Sequence, residues 1–256
     1  MREALSDLLS HRYPKLYPHG YVELNDGWFG ILDALSEVVI GWAAHAGRKP
    51  VPADQIKEKF GTLSYYTNRL DGSEIGSVIM AEEMSSRICE ITGRRGRLSR
   101  RGSWYATRAP GVDADFEQMN IGRFVDGRMG LPPMDFTAAD MLLWRSEVLV
   151  GPVDVPAGWL DLVDGLLRQI EQANGNPRSA VVGNARVDGG QSKSAEADPV
   201  RVTYIGATGG ALSIGYTGGG PRAAGLVAFA IAMSRRTDPI SGDTGPVDDL
   251  GRVQAG

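Results

Sequence analysis

One stretch of this chain occurs twice. Shifted by 149 residues without a gap, Gly61–Gly102 overlays Gly210–Gly251 with 13 identical pairs in 42 positions, where unrelated sequence gives about three. The pairs include Leu63/Leu212, Gly76/Gly225, Met84/Met233, Ser85/Ser234, Arg87/Arg236, Gly93/Gly242 and Gly96/Gly245. Upstream, a second echo runs at an offset of 131: Gly27-Trp28 overlays Gly158-Trp159, and Asp33 and Leu35 overlay Asp164 and Leu166. An internal duplication is the expectation, and it constrains the fold, because whatever one copy builds the other must also build.

Each copy carries the same sequence of periodicities. Trp28, Ile31, Leu32, Leu35, Val38, Val39 and Trp42 recur at helical spacing, with Asn25 or Asp26 as N-cap and an end near Gly47. Gln55–Lys59 and Thr62–Thr67 alternate as a hairpin, and a helix is expected from about Glu74 to Glu90, stopped by Gly93. The second copy repeats this with LDLVDGLLRQI, strands at Val200–Ile205 and Leu212–Tyr216, and a helix from Arg222 to about Arg236. Short helices at Arg2–Ser10 and after Thr137, where Asp140 completes a capping box, precede the two copies. The fold class expected is α+β: two tandem related helix–β-hairpin–helix units, helices packed on small antiparallel sheets. The units span residues 1–114 and 137–256, joined by a linker at 115–136 that contains Pro132-Pro133. The second copy is longer by an insert whose polar part, 186–198, is expected to be mobile.

Composition narrows the function. The formal charge of −4 argues against non-specific nucleic-acid binding by the whole molecule. A lone cysteine, Cys89, rules out an intramolecular disulfide. The N-terminus mixes charges into its apolar pattern, unlike a signal peptide, and no run approaches 18 uninterrupted apolar residues. A cytoplasmic bacterial or phage protein is expected, with no membrane partner; the sequence leaves the oligomeric state open.

The landmarks RYPKLY, DGWFGILDAL, QIKEKFGTLSYY and ICEITGRRGRLSRRGSW, over about residues 11–108, resemble a family of uncharacterised bacterial and phage proteins. The resemblance implies a small zinc knuckle, Cys-x-x-Cys followed by Cys-x-x-His. Its four positions fall here on Cys89, Thr92, Ala109 and Val112, and on Asp238 and Ser241 in the second copy. A tetrahedral site needs four donors, so a degenerate site without metal is expected.

Chemical motifs are sparse. His11, His19 and His45 fall in no HExxH or nucleophile pattern, so no catalytic residue and no cofactor is assigned. The glycine-rich turn Thr217–Gly225 could present backbone N–H groups to a phosphate, but Asp71 and Glu74 stand at the matching place of the first copy. Two charged sets remain. Glu23, Asp26, Asp33 and Glu37 cluster around the first Trp helix, and Asp161 and Asp164 around the second. These six form the expected partner-binding surface of an immunity-type inhibitor, a non-enzymatic module that neutralises a cognate toxin or effector by occlusion. The alternative is a nucleic-acid-associated phage or regulatory protein using the Arg94–Arg108 segment, with Arg94, Arg95, Arg97, Arg100, Arg101 and Trp104 as contacts. Asp243, Asp248 and Asp249 lie at the matching place of the second copy, and are expected to attract that segment across a pseudo-dyad.

Overall fold

The structure is a computed structural model and describes residues 1–18, 20, 22–67, 69–119, 131–175 and 198–245. The expected mobile insert up to residue 197, His19, Asp248 and Asp249 lie outside the described residues. The fold is α+β. In chain order the elements are α1 (Glu3–Arg12), α2 (Phe29–His45), β1 (Gln55–Lys59), β2 (Thr62–Tyr66), α3 (Gly72–Ser85), β3 (Arg97–Arg101), β4 (Trp104–Arg108) and β5 (Glu117–Gln118). There follow α4 (Ala138–Trp144), β6 (Val153–Asp154), α5 (Leu160–Gly175), β7 (Arg201–Thr208), β8 (Ala211–Thr217) and α6 (Pro221–Ser234).

Helices α2, α3, α5 and α6 form the centre, with α3 and α6 packed on each other and each also touching α2 and α5. The α3–α6 crossing is close because glycine stands at its contact point on both helices. A Cβ on Gly76 would lie 2.1 Å from the Arg222 carbonyl oxygen, and one on Gly225 would lie 1.8 Å from that of Ser73. The two glycines match at the 149-residue offset, and Ser77 Oγ adds a bond to the Gly225 carbonyl at 3.1 Å. The apolar faces of all four helices merge into a single core that also takes Leu63 and Tyr65 from β2 and Ile205 and Leu212 from β7 and β8.

Hairpin β1–β2 is antiparallel, as is β7–β8. Each is tied to the helix that follows it by the same bond: Leu63 N–H donates to Ser85 Oγ at 2.8 Å, and Leu212 N–H to Ser234 Oγ at 2.9 Å. The sheets otherwise differ. A three-stranded antiparallel sheet, β4-β3-β5, follows α3, whereas β7–β8 gains the short strand β6, which pairs parallel to β7.

Two local expectations are corrected. Neither Asn25 nor Asp26 caps α2 with its side chain; a single 3-10 turn, Asp26–Trp28, leads into the helix. The Asp26 carboxylate is taken instead by the backbone N–H and guanidinium of Arg2. Helix α3 stops at Ser85 rather than Glu90, because the Arg87 carbonyl accepts from Gly96 N–H and the chain there turns into a knuckle. The stretch Asp26–His45 is long and apolar enough to cross a membrane by length and composition, but it is mostly buried inside the protein, as a core helix is.

Candidate functional site: a basic, aromatic hairpin face above a buried ion-pair lattice

The Gly-Trp dipeptides that flag both copies are docking devices for the knuckles. Trp28 Nε1 donates to the Ile88 carbonyl and Trp159 Nε1 to the Thr237 carbonyl, each at 2.9 Å. Gly27 N–H donates to the Glu90 carbonyl and Gly158 N–H to the Pro239 carbonyl. A side chain on either glycine would strike the knuckle, at 2.1 Å from the Cys89 oxygen and 2.4 Å from the Asp238 oxygen. The knuckle at residues 89–94 closes through Gly93 N–H to the Cys89 carbonyl and Cys89 N–H to the Arg94 carbonyl. That at 238–243 closes through Gly242 N–H to the Asp238 carbonyl and Asp238 N–H to the Asp243 carbonyl. In the second, Asp238 Oδ1 also accepts from the N–H groups of Ile240 and Ser241. Among the described residues no group of three or more His, Cys, Asp or Glu side chains could hold a metal ion.

The repeated aspartates are buried, contrary to their expected place on a partner-binding surface. Asp33 is 1% exposed and Asp164 is fully buried. Each is held by an arginine near its own copy's first helix and by one from the other copy. Arg12 Nη1 lies 3.2 Å from Asp33 Oδ1 and Arg145 Nε 2.9 Å from Asp164 Oδ1. From the other half of the chain, Arg236 Nε lies 2.6 Å from Asp33 Oδ2 and Arg87 Nη2 2.9 Å from Asp164 Oδ2. Arg87 and Arg236 match at the 149-residue offset, but the contacts differ in kind: Arg236 Nε hydrogen-bonds Asp33, whereas Arg87 meets Asp164 Oδ2 as an ion pair only.

Asp161 is the third buried acid of the expected surface. It accepts two bonds from Arg97 and one from Arg95 Nε. Burial alone would push its carboxyl up, but Arg97, Arg87 and Arg95 more than offset that and hold it below the usual carboxylate range. Arg97 is completed by the Pro132 and Gly96 carbonyls, and Arg95 by that of Met134. Of the expected acidic surface, Glu23 is exposed, Asp26 is bound to Arg2, and Glu37 is engaged by Arg235 and Arg236. The pairing expected between the Arg segment and the acidic tail reduces, within the described residues, to Arg95 N–H donating to Asp243 Oδ1. Asp161 on α5 does the rest.

These contacts divide the nucleic-acid candidates. Arg95 and Arg97 are spent on Asp161. Arg94, Arg100, Arg101 and Trp104 stay exposed, Trp104 at 71%. Arg101 stands opposite Trp104 on β3–β4, and Arg100 opposite Tyr105. Directly paired residues share a face, so Arg100 and Tyr105 line one side of the hairpin and Arg101 and Trp104 the other. The Arg101 guanidinium lies 4.7 Å from the Phe116 ring centre.

The sequence did not single out Phe60. It sits at the tip of β1–β2, 68% exposed, with its ring edge-on to Tyr105 at 6.2 Å between centres. The two hairpins are joined there: Thr107 Oγ1 donates to the Gly61 carbonyl at 2.7 Å. Lys59 Nζ stands 5.8 Å from the Phe60 ring and Lys57 Nζ 4.8 Å from the Tyr66 ring. Lys57, Lys59, Arg94 and Arg100 have no carboxylate partner among the described residues.

The glycine-rich turn before α6 is filled by its own chain. Gly219 N–H donates to the Asp198 carbonyl, and a Cβ on Gly218 would lie 2.2 Å from the Pro199 oxygen. Its glycines serve positive φ and this close approach rather than an open cradle. No protein-family model, curated protein or solved structure matches the chain.

Proposed function

We propose that this protein is a nucleic-acid-associated binding protein whose contact surface is the β3–β4 hairpin. The observation that carries the reading is the division of the Arg segment. Burial claims Arg95 and Arg97, while Arg94, Arg100 and Arg101 remain in solvent beside an exposed Trp104. Exposed guanidinium groups pair with phosphates, and an uncovered indole gives a face for stacking. A side chain as large and apolar as Trp104 gains nothing for the fold at 71% exposure. The net charge of −4 is an average over the whole chain and does not oppose a local basic face, since Lys57, Lys59, Arg94 and Arg100 are without a carboxylate partner among the described residues.

The test is charge reversal at the exposed arginines alone, Arg94→Glu, Arg100→Glu and Arg101→Glu, read by anisotropy of labelled DNA and RNA across a salt series. Loss of affinity together with a shallower salt slope is expected. Reversal at Arg95 or Arg97 is no test, since it would place a carboxylate against Asp161 in the core. Equal binding by the triple variant and the parent sinks the reading.

A protein partner, the toxin or effector of an immunity-type inhibitor, is the second reading. It is favoured by the exposed apolar side chains of Leu143 and Ile240. Its expected mechanism changes, because Asp33, Asp161 and Asp164 are enclosed and an occluding acidic surface would keep only Glu23 and Glu37 exposed, Glu37 being paired with Arg235 and Arg236.

A further inference from the structure

We propose that the tip of β1–β2 extends the hairpin face into a stacking platform for single-stranded nucleic acid, with Phe60 as its central aromatic group. This inference rests on the function proposed above and adds the strand class and the residues that select it. The starting observation is conformational. Phe60 and Gly61 form a two-residue turn with φ of +53° and +79°. The corresponding turn of the second copy, Gly209-Gly210, has φ of +60° and +76°. Both turns need left-handed backbone at both positions, which glycine adopts freely and a bulky aromatic residue does not. At residue 209 the chain meets that need with glycine. At residue 60 it places phenylalanine in the same conformation and leaves the ring 68% exposed. Backbone strain combined with solvent exposure of an apolar ring points to a role outside folding.

The surroundings define the ligand. The Phe60 and Tyr105 rings meet in a T rather than stacked face to face, and Lys59 Nζ stands 5.8 Å from the Phe60 ring centre. Arg100 shares the Tyr105 face of β3–β4. On β1, Lys57 and Lys59 project to the same side of the strand, two residues apart. No carboxylate of the described residues pairs with these three cations. Aromatic faces interleaved with unpaired cations match an unpaired strand, whose bases can leave the stack while the phosphates follow the cations. A duplex offers only its backbone to such a face, and an acidic peptide offers charge with nothing for Phe60 to stack on.

The experiment uses the full chain and fluorescein-labelled 20-nucleotide single strands of mixed sequence, with the matching duplex and a polyglutamate peptide as competitors. Phe60→Gly is the informative variant, because glycine suits the turn and the melting temperature should not fall. The expected result is a loss of single-strand affinity of about 5- to 150-fold at unchanged salt slope, the effect of one lost stacking contact. Lys59→Gln should instead lower the slope by about 0.7. If Phe60→Gly binds like the parent while the Arg100 and Arg101 reversals abolish binding, the platform is overturned and the hairpin function stands. Duplex bound as tightly as single strand, or polyglutamate displacing it equally well, also overturns the platform. If the parent binds no nucleic acid, both proposals fall together.

Discussion

Arg87 in the first half of the chain reaches the Asp164 carboxylate in the second at 2.9 Å, and Arg236 in the second half lies 2.6 Å from Asp33 in the first. Neither aspartate is satisfied within its own half alone. Each half therefore carries a buried charge whose second partner lies in the other, and the fold is closed by exchange across the α3–α6 crossing.

Removing one member of such a pair leaves its partner as an uncompensated buried charge. Asp164→Asn is expected to cost about 3–5 kcal/mol, and Arg87→Met a comparable amount. The double substitution should cost less than the sum by about 1–3 kcal/mol, since the second change removes the charge that the first had stranded. Urea unfolding of the four proteins measures the cycle, and Asp33→Asn with Arg236→Met should reproduce it. Strict additivity at either pair would mean that the cross-half contact contributes nothing.

The same lattice sets an acid limit. Asp161 and Glu83 are both pushed up by burial, and both are brought below their ordinary values by arginines: Arg97, Arg87 and Arg95 around Asp161, Arg168 and Arg87 around Glu83. A depressed folded pKa stabilises the protein above the unfolded value, about 3.9 for Asp and 4.3 for Glu, and that contribution is lost as pH falls through the folded pKa. Glu90 and Glu171 act in the opposite sense. Burial raises them despite Arg108 and Arg145, so protonating them relieves the native state as pH falls. The melting temperature should hold or rise slightly from neutral pH to about 5 and fall steeply below about 4. Asp161→Asn should flatten that acid limb; an unchanged limb would remove Asp161 from the account.

Glycines at the crossing are the next sensitive points. Gly225→Ala and Gly76→Ala force a Cβ against backbone of the opposite helix, at 1.8 and 2.1 Å, and α3 and α6 must separate. A destabilisation of about 1–3 kcal/mol or more is expected from overpacking. Gly41 on α2 is the control: nothing lies within 4 Å of its would-be Cβ, and Gly41→Ala should stabilise by about 0.5–1 kcal/mol. Thermal melts of the three variants compare them directly, and Gly225→Ala behaving like Gly41→Ala would mean that the crossing is not set by contact.

The element order was legible because period and punctuation are local: strand β1 falls where alternation placed it, and helix α2 ends two residues before Gly47. Which residues meet was not. Arg87/Arg236 and Asp33/Asp164 are both visible as repeats, yet only the crossing of α3 over α6 brings each arginine to the other half's aspartate. Sequence counted charges and read them as surface, whereas buried pairing had consumed Asp33, Asp161, Asp164, Arg95 and Arg97. One signal for Phe60 was available: it is the residue aligned with Gly209 at the first position of a two-residue turn.

The knuckles yield the last prediction. Cys89 is buried and its turn is held by backbone bonds, by Gly27 N–H on the Glu90 carbonyl and by the Trp28 indole on Ile88. At the position 149 residues on, Asp238 Oδ1 receives two N–H groups, at 2.8 and 2.7 Å, and so terminates that turn with a side-chain oxygen. Hydrogen bonds thus do what a bound ion would do in a four-donor knuckle. Chelator should leave the melting temperature unchanged, and the Cys89 thiol should react with a thiol reagent only on unfolding. Asp238→Ala should cost about 1 kcal/mol, since two turn N–H groups lose their acceptor at a site open to water. A melting temperature lowered by chelator would require a donor set that the described residues do not supply, and would return the knuckle to metal chemistry.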